Sequence, residues 1–345
     1  MSHLIRIDGT EETAEAEPGD TVLDALLMAG VGFAYSCQAG NCGTCKCELI
    51  EGEIQELEYS EHALAPADRA RGIVLACRSQ VWSDVTIRKL DDEEFLVHPS
   101  RVLQCRVAVL DRLTHDIWRV GLDVISGGPF GFSAGQYATV TFPFAVGKPR
   151  DYSMANRPDE ERIEFHIRES TSPESVSARL GERLHIGDTV RVAGPLGTSY
   201  LREQAGAPVI AIAGGSGLAP IRSIVSTLRA KGIDAATHVY FGARAERDIY
   251  GEDEMRSWAD GRVDSSLHVV LSEGHANGAY RTGFITDAVD RDFDRLDGFK
   301  AYLAGPPAMV EAAVELLTSK GVVPRDIHAD AFYPAPGVVS AKAVA

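Results

Sequence analysis

Between Tyr35 and Leu49 the chain reads Y-S-C-Q-A-G-N-C-G-T-C-K-C-E-L, and no other stretch restricts its folding as severely. Cys37, Cys42 and Cys45 stand at C-x4-C-x2-C, and Cys77 follows later in L-A-C-R-S. This is the ligand spacing of a [2Fe–2S] cluster. Bringing three thiolates to one point needs a loop whose amides turn inward and donate to sulfur, and Gly40 and Gly43 give the backbone that freedom. A zinc site is the rival reading of C-x2-C. Zinc knuckles, however, pair two such closely spaced units, and Cys77 has no second cysteine beside it. Of the two remaining cysteines, Cys47 and Cys105 both read as small buried hydrophobes on strands, although Cys47 is close enough to the loop to compete as a ligand.

A chain of 345 residues, 45% of them hydrophobic, has room for two or three domains with full cores. No apolar run approaches the ~18–20 residues of a membrane span, and M-S-H-L-I-R-I-D lacks the apolar centre of a signal peptide. The expectation is a soluble cytoplasmic protein, in a compartment reducing enough to keep thiolates for metal. The net charge is −16, from 50 acidic and 34 basic residues, with no dense basic cluster, so nucleic acid is not expected as a partner. The acidic excess serves either to steer a basic protein partner or simply for solubility.

Taken in order, residues 3–7 and 12–17 read as a short hairpin. A helix is expected over Val22–Ala29, capped by Asp20 or Thr21, with Val22, Leu26 and Ala29 on one face and Gly30 as its stop. The cysteine loop and strands near 47–50, 53–54 and 85–87 complete an α+β unit over 1–90, in the order of a plant-type ferredoxin. Residues 91–100 break the periodicity with charge and proline and read as a linker. Over 101–204, period-two alternation between Gly/Pro turns predicts a small antiparallel β-barrel, interrupted by one helix near 175–184. From 205 to 334, the apolar run P-V-I-A-I-A is followed by G-G-S-G-L-A-P, a helix near 221–230, and further alternating strands and helices. This is the pattern of an α/β doubly wound domain. Residues 335–345 read as a loose tail.

Several motifs carry chemistry. In R-D-Y-S, Arg150 can pair with a phosphate, the Tyr152 ring can stack on a flavin, and the Ser153 hydroxyl can reach the flavin N5. S-T-S-P-E-S-V-S gathers hydroxyls and amides at a helix start, which suits either a pyrophosphate or plain capping by Ser172 or Ser175. The loop Gly214, Gly215, Gly217 lies between strand and helix, where a dinucleotide pyrophosphate is met, although Pro220 replaces the third glycine of G-x-G-x-x-G. A tight turn without ligand is the alternative. Gly305 and Pro306, in A-G-P-P-A-M, open another helix after a strand, at the nicotinamide end of the same crevice.

In order and spacing these motifs resemble the reductase components of bacterial aromatic-ring-hydroxylating dioxygenases. These combine a plant-type ferredoxin, a flavin barrel of the ferredoxin–NADP reductase superfamily and a pyridine-nucleotide domain. The likeness rests on C-G-T-C-K-C, F-H-I-R (165–168), A-G-P-L-G-T, G-L-A-P and A-D-A-F-Y-P (329–334), and spans nearly the whole chain. It implies an NADH:ferredoxin oxidoreductase in which NADH, with NADPH possible, supplies hydride, FAD divides the electron pair, and a [2Fe–2S] cluster on Cys37, Cys42, Cys45 and Cys77 delivers single electrons. The acceptor would be a ferredoxin or an oxygenase component, and the chain a monomer. The resemblance places Arg150, Tyr152, Ser153, His166, Ile167 and Phe332 on the flavin, with Ser153 and Phe332 at the reacting ring. It also places Ser175 and Ser177 at the flavin pyrophosphate, and Gly214, Gly215, Gly217, Arg244, Gly305 and Pro306 on the nicotinamide dinucleotide. Two departures stand out: Pro173-Glu174 where many relatives have Gly-Gly, and Ala304 where many have cysteine. Relatives share the C-x-C at Cys45 and Cys47, which weakens Cys47 as a rival ligand.

Fold and cofactors are equally compatible with a reductase serving a diiron monooxygenase or a sugar deoxygenation system. A non-catalytic redox sensor is the alternative from another class. Arg244 and Arg247, after the strand ending at Phe241, read either as readers of a 2′-phosphate or as surface charges paired with Glu246 or Asp248.

Overall fold

Alternating apolar residues in H-L-I-R-I form the first strand of the computed structural model, which describes residues 2–61, 63–90, 96, 98–203, 206–262, 264–273 and 279–333. The chain divides into two compact units, Met1–His98 and Pro99–Ala345.

The first unit runs β1 (His3–Ile7), β2 (Thr13–Ala16), α1 (Val22–Met28), β3 (Lys46–Glu51), β4 (Ile54–Glu56), α2 (Pro66–Arg69), β5 (Ile73–Leu75), β6 (Ser79–Val81) and β7 (Val85–Lys89). The main sheet has the order β2-β1-β7-β3-β5, with β1 and β7 parallel, and β4 pairs with β6 separately. Thr21 caps α1: its hydroxyl accepts from the Asp24 amide at 3.1 Å and donates to the Asp24 carboxylate at 2.7 Å, a cap of about 1 kcal/mol. The helix buries Val22, Leu23, Ala25 and Leu26. Ala29, expected on that face, is instead the exposed C-cap, because the helix stops one residue early. Strands β5 and β6, too short to show periodicity, flank the 3₁₀ turn Ala76–Arg78 that carries Cys77.

The second unit opens with β8 (Arg101–Arg112), β9 (Ile117–Ser126), β10 (Tyr137–Thr141), β11 (Arg150–Ser153), β12 (Ile163–Arg168) and β13 (Thr189–Leu196), in the sheet order β11-β10-β13-β8-β9-β12. A bridge between Met154 and Phe165 brings the two edge strands together and curls the sheet into a barrel. Inward-facing Leu103, Cys105, Val107, Leu122, Val140, Phe165 and Ile167 fill it. The helix expected over 175–184 is shorter: a 3₁₀ turn, Ser177–Arg179, leads into the single α-turn α3 (Leu180–Arg183). Ser175 therefore precedes the helix, whose few aligned peptides give it a weak positive end.

The doubly wound part follows as β14 (Val209–Gly214), α4 (Leu218–Ala230), β15 (Thr237–Ala243), α5 (Glu252–Ala259), β16 (Ser266–Leu271), β17 (Arg281–Thr282), α6 (Ile285–Asp292), β18 (Lys300–Gly305), α7 (Pro307–Ser319) and β19 (Ile327–Ala331). All its strands pair in parallel, in the order β17-β16-β15-β14-β18-β19. β14 is buried throughout, with residues of α4 and α5 packed on one face of the sheet and of α6 and α7 on the other. The strand order reverses between β14 and β18, the place where open α/β sheets bind ligands. α4 begins at Leu218 and not at Ile221, because Pro220 needs no intrahelical donor in a first turn. Among the described residues no helix is long and apolar enough to cross a membrane. Most of the segment read as a linker (91–95 and 97), and the whole segment read as a tail (335–345) together with Pro334, lie outside the described residues.

Candidate functional site

The cysteine loop owes its shape to three left-handed residues, Gln38, Gly40 and Gly43, with φ of 52°, 74° and 72°. A Cβ on Gly40 would stand 2.8 Å from Arg78 Cγ, and one on Gly43 would stand 2.6 Å from the Ala63 carbonyl oxygen, so space as well as torsion demands glycine at both. The loop turns amides toward sulfur. The Asn41 N–H donates to Cys37 Sγ at 3.3 Å, and Cys45 Sγ lies 3.3 Å from Cys77 Sγ. The hydrogen bond from Cys42, helped by the amides of Ala39, Asn41 and Cys42, lowers the Cys37 thiol to about 5. The neighbouring thiols Cys42 and Cys77 are pushed up, each first by its hydrogen-bonded cysteine partner and then by burial. Four crowded sulfurs with amides aimed at them match the donor set of a [2Fe–2S] cluster, whose iron would replace the thiol protons. Cys47 is fully buried and raised to about 12 by burial, as expected of a core thiol. Cys105, also fully buried, is raised to about 11 for the same reason.

In the second unit, Arg150, Tyr152 and Ser153 lie along β11, which pairs with β10 so that Tyr152 faces Ala138 and Ser153 faces Tyr137. The Arg150 guanidinium donates to the Pro149 carbonyl at 2.7 Å. The Tyr152 ring packs edgewise on the barrel core, 6.2 Å from Phe142 and 6.3 Å from Phe165. The Ser153 hydroxyl, buried, donates to the carboxylate of Asp330 at 2.7 Å, joining the barrel to the last strand of the doubly wound part. Phe332, two residues on, is half-buried and held by its N–H on the Gly305 carbonyl at 2.9 Å. Burial raises Asp330 to about 6, against the lowering effect of the Ser153 hydrogen bond.

His166 and Ile167 sit on β12, at the sheet edge. The Ile167 side chain is in the barrel core, and His166 is buried with Nε2 3.1 Å from Glu164 and its ring 5.4 Å from Tyr250. The expectation that these two residues meet the flavin therefore falls on their backbone and not on their side chains. What they can offer is the backbone N–H and C=O groups of an edge strand. Glu164 also ion-pairs with Arg119 at 2.7 Å and Arg222 at 3.3 Å. These and the hydrogen bond from His166 overcome burial and hold it at about 2. Ser175 and Ser177 share a hydroxyl contact of 3.3 Å, and the Ser177 hydroxyl accepts from the Ser170 amide at 3.2 Å.

At the strand-order reversal, the end of β14 and the turn that follows it press against the end of the paired strand β18. A Cβ on Gly217 would lie 2.1 Å from the Ala304 carbonyl oxygen, one on Gly214 2.6 Å from Met309 Sδ, and one on Gly305 2.9 Å from the Gly214 oxygen. These glycines are thus required by the fold itself, and the closeness they permit brings the N-termini of α4 and α7 to one edge. Pro306 caps α7. Two helix starts at the strand-order reversal stand where a dinucleotide pyrophosphate is met in such sheets. Over Gly215 lies the Arg168 guanidinium, 2.9 Å from where a Cβ would be.

Three family models match the sequence: a 2Fe-2S iron-sulfur cluster binding domain over residues 5–81, an oxidoreductase FAD-binding domain over 104–200 and an oxidoreductase NAD-binding domain over 211–315. The ferredoxin–NAD(P)+ reductase component of the naphthalene 1,2-dioxygenase/salicylate 5-hydroxylase systems of Ralstonia sp. is 40% identical over 319 residues, covering 92% of this chain and 95% of the relative. The chain belongs to the ferredoxin–NAD(P)+ reductase family. The aromatic O-demethylase reductase subunit of Amycolatopsis sp. is 36% identical over 339 residues, covering 97% of this chain and 100% of that one. The crystal structure of the Amycolatopsis cytochrome P450 reductase GcoB superposes with a TM-score of 0.80 at 34% identity, covering 96% of this chain and 99% of that one.

As a member of this reductase family the protein is an oxidoreductase built for FAD, a nicotinamide dinucleotide and a [2Fe–2S] cluster. It is an electron-transfer component of an oxygenase system. Reading the sequence alone did not single out three residues that the structure places against the expected site residues: Asp330 on Ser153, Arg168 over Gly215, and Asp116 beside Arg244. Asp330 and Arg168 stood inside motifs already noted, A-D-A-F-Y-P and F-H-I-R. Asp116 had no motif, because only the fold brings the turn after β8 to Arg168 and Arg244.

Proposed function

We propose that this reductase takes hydride from NADH and delivers single electrons to the ferredoxin or oxygenase component of an aromatic-ring dioxygenase, acting as a monomer in the cytoplasm. In this reading residues 1–90 form the cluster domain, 91–100 the linker, 101–204 the flavin domain and 205–334 the nucleotide domain. The observation that carries it is the Ser153–Asp330 hydrogen bond, which joins the flavin-type barrel to the nucleotide-type sheet beside Gly305 and Phe332. Flavin bound there accepts electrons as a pair and releases them singly.

The residues divide the remaining work. Cys37, Cys42, Cys45 and Cys77 hold the cluster, and the loop amides stabilise its negative charge. Arg150 offers a cation to the flavin phosphates, Tyr152 walls one side of the ring, and the β12 backbone at His166 and Ile167 borders it. Ser175 and Ser177 supply hydroxyls at the flavin pyrophosphate. Gly214, Gly215, Gly217, Gly305 and Pro306 admit the dinucleotide to the amides of α4 and α7. Ser153 holds a proton on its Oγ, shared with Asp330, where the nicotinamide and flavin would meet, and Phe332 shields that point from water.

A second reading, favoured by the likeness over full length to the aromatic O-demethylase subunit, makes the acceptor an oxygenase of a class other than the ring dioxygenases. Purified protein should show a flavin spectrum and, after reduction, the EPR signal of one [2Fe–2S] centre per chain. NADH should then reduce an added dioxygenase ferredoxin. A protein colourless after anaerobic reconstitution would refute the proposal.

A further inference from the structure

A guanidinium in the middle of a mostly buried helix must be given partners, because an unpaired charge out of water is costly. Helix α4 follows the Gly215–Gly217 turn directly and carries Arg222 and Ser223 in its second turn. The Arg222 side chain is 22% exposed, and Ser223 is fully buried.

Their partners lie on the barrel. Arg222 Nη1 donates to the Ala155 carbonyl at 2.8 Å and stands 3.3 Å from Glu164 Oε1. The Ser223 hydroxyl donates to the Asn156 carbonyl at 2.6 Å. Ala155 and Asn156 come just after Ser153, the last residue of β11, and both are tied to β12. The Ala155 N–H donates to the Glu164 carbonyl at 2.7 Å, and the buried Asn156 side chain accepts from the Glu164 amide at 2.9 Å. Glu164 in turn pairs with Arg119 on β9 at 2.7 Å, so the acceptors of Arg222 are anchored in the barrel. On its other side Arg222 Nε donates to Glu254 Oε2 on α5 at 2.8 Å, a contact within the doubly wound part.

The two halves of the unit thus meet at one guanidinium. Going back along α4, the glycine turn lies about one helical turn from Arg222, so the two move as one body. On the barrel side, the clasped carbonyls continue the strand that ends in Ser153.

We propose that Arg222 is a positioning residue for hydride transfer: by fastening α4 to the segment after Ser153, it sets the separation and angle between nicotinamide and flavin. This rests on the reading of the second unit as a nicotinamide-dependent flavin reductase. Arg222 acts through the backbone at Ala155 and through Glu164, without touching either reactant. Transfer between two bound groups depends steeply on their placement, and a displacement of about 1 Å costs on the order of 10²-fold.

In flavin-loaded protein, stopped-flow reduction by NADH over a range of concentrations separates the limiting rate from the Kd of the dinucleotide. Arg222→Gln loses the charge and the fork; it should lower the limiting rate by about 10- to 100-fold while moving the Kd by less than about threefold. The long-wavelength charge-transfer absorbance of stacked nicotinamide and flavin should fall with it. Arg222→Lys, able to hold one barrel acceptor, should lie between wild type and Arg222→Gln. Glu254→Gln breaks the ion pair on the α5 side alone and should leave the limiting rate within about twofold of wild type, since a partly exposed pair contributes little. A limiting rate in Arg222→Gln comparable to wild type, a loss carried wholly by Kd, or equal slowing by Glu254→Gln would overturn the proposal. Should Arg222→Gln not fold, Arg222→Lys carries the test: slowing at unchanged Kd supports the role, and a wild-type rate refutes it. Failure of the broader functional reading would look different, as no reduction of flavin by NADH in the wild type.

Discussion

Ser153 Oγ on the barrel strand β11 donates to Asp330 on β19 at 2.7 Å, a buried hydrogen bond between residues 177 positions apart. If the hydroxyl works beside the flavin, losing it should slow hydride transfer and leave the cluster, held by other residues, intact. Ser153→Ala is expected to reduce the rate of flavin reduction by NADH, followed by stopped flow, by about 10²-fold. The cluster's EPR signal should be unchanged. A rate within twofold of wild type would remove Ser153 from the reaction.

Asp330 also sets a pH dependence of stability. Its carboxyl rises from 3.8 to about 6 on folding, chiefly through burial, so the native state holds a proton that the unfolded state has released. Its contribution is therefore greatest at low pH and is lost as pH rises through about 6. By linkage, wild type should lose roughly 1 kcal/mol relative to Asp330→Asn between pH 5 and 7.5. Urea unfolding of both proteins at the two pH values measures this. Parallel behaviour would mean that Asp330 is not a raised acid.

The cysteine loop predicts a division of activities. Cys37→Ser removes the sulfur toward which the Asn41 amide points, and should abolish reduction of a ferredoxin or cytochrome acceptor. NADH oxidation by ferricyanide through the flavin should survive at about wild-type rate, because the two electron carriers are held by separate groups of residues. Equal loss of both activities would contradict this route.

The contact between strand ends predicts a structural cost. Gly217→Ala would place a methyl group 2.1 Å from the Ala304 carbonyl oxygen, with backbone on both sides. It should raise the KM for NADH by about tenfold or more and destabilise the second unit by about 1–3 kcal/mol, the usual range for overpacking. Normal stability with normal KM would show that the turn after β14 does not press on Ala304 so closely.

The cysteine spacing, the glycine loop and the change from period-two strands to the buried run at Val209–Gly214 were readable because each is local. Ligand spacing, backbone torsion and burial pattern are carried by neighbouring residues, and so the three-part order of α+β unit, barrel and doubly wound sheet was legible from the chain. β5 and β6 were not, since three-residue strands have no periodicity. The extent of the helix near Ser177 was also misjudged, because capping residues mark a start without determining how many turns follow.

The sequence by itself determined which residues can ligate iron and where the backbone must turn to bring them together. Tertiary structure decided what the charged and hydroxyl groups do. It gave Ser153 an acid from the far end of the chain, turned His166 toward Glu164, and set Asp116 against Arg244. These are pairings across long separations, and a side chain's partner, unlike its spacing, is fixed only when distant strands pack.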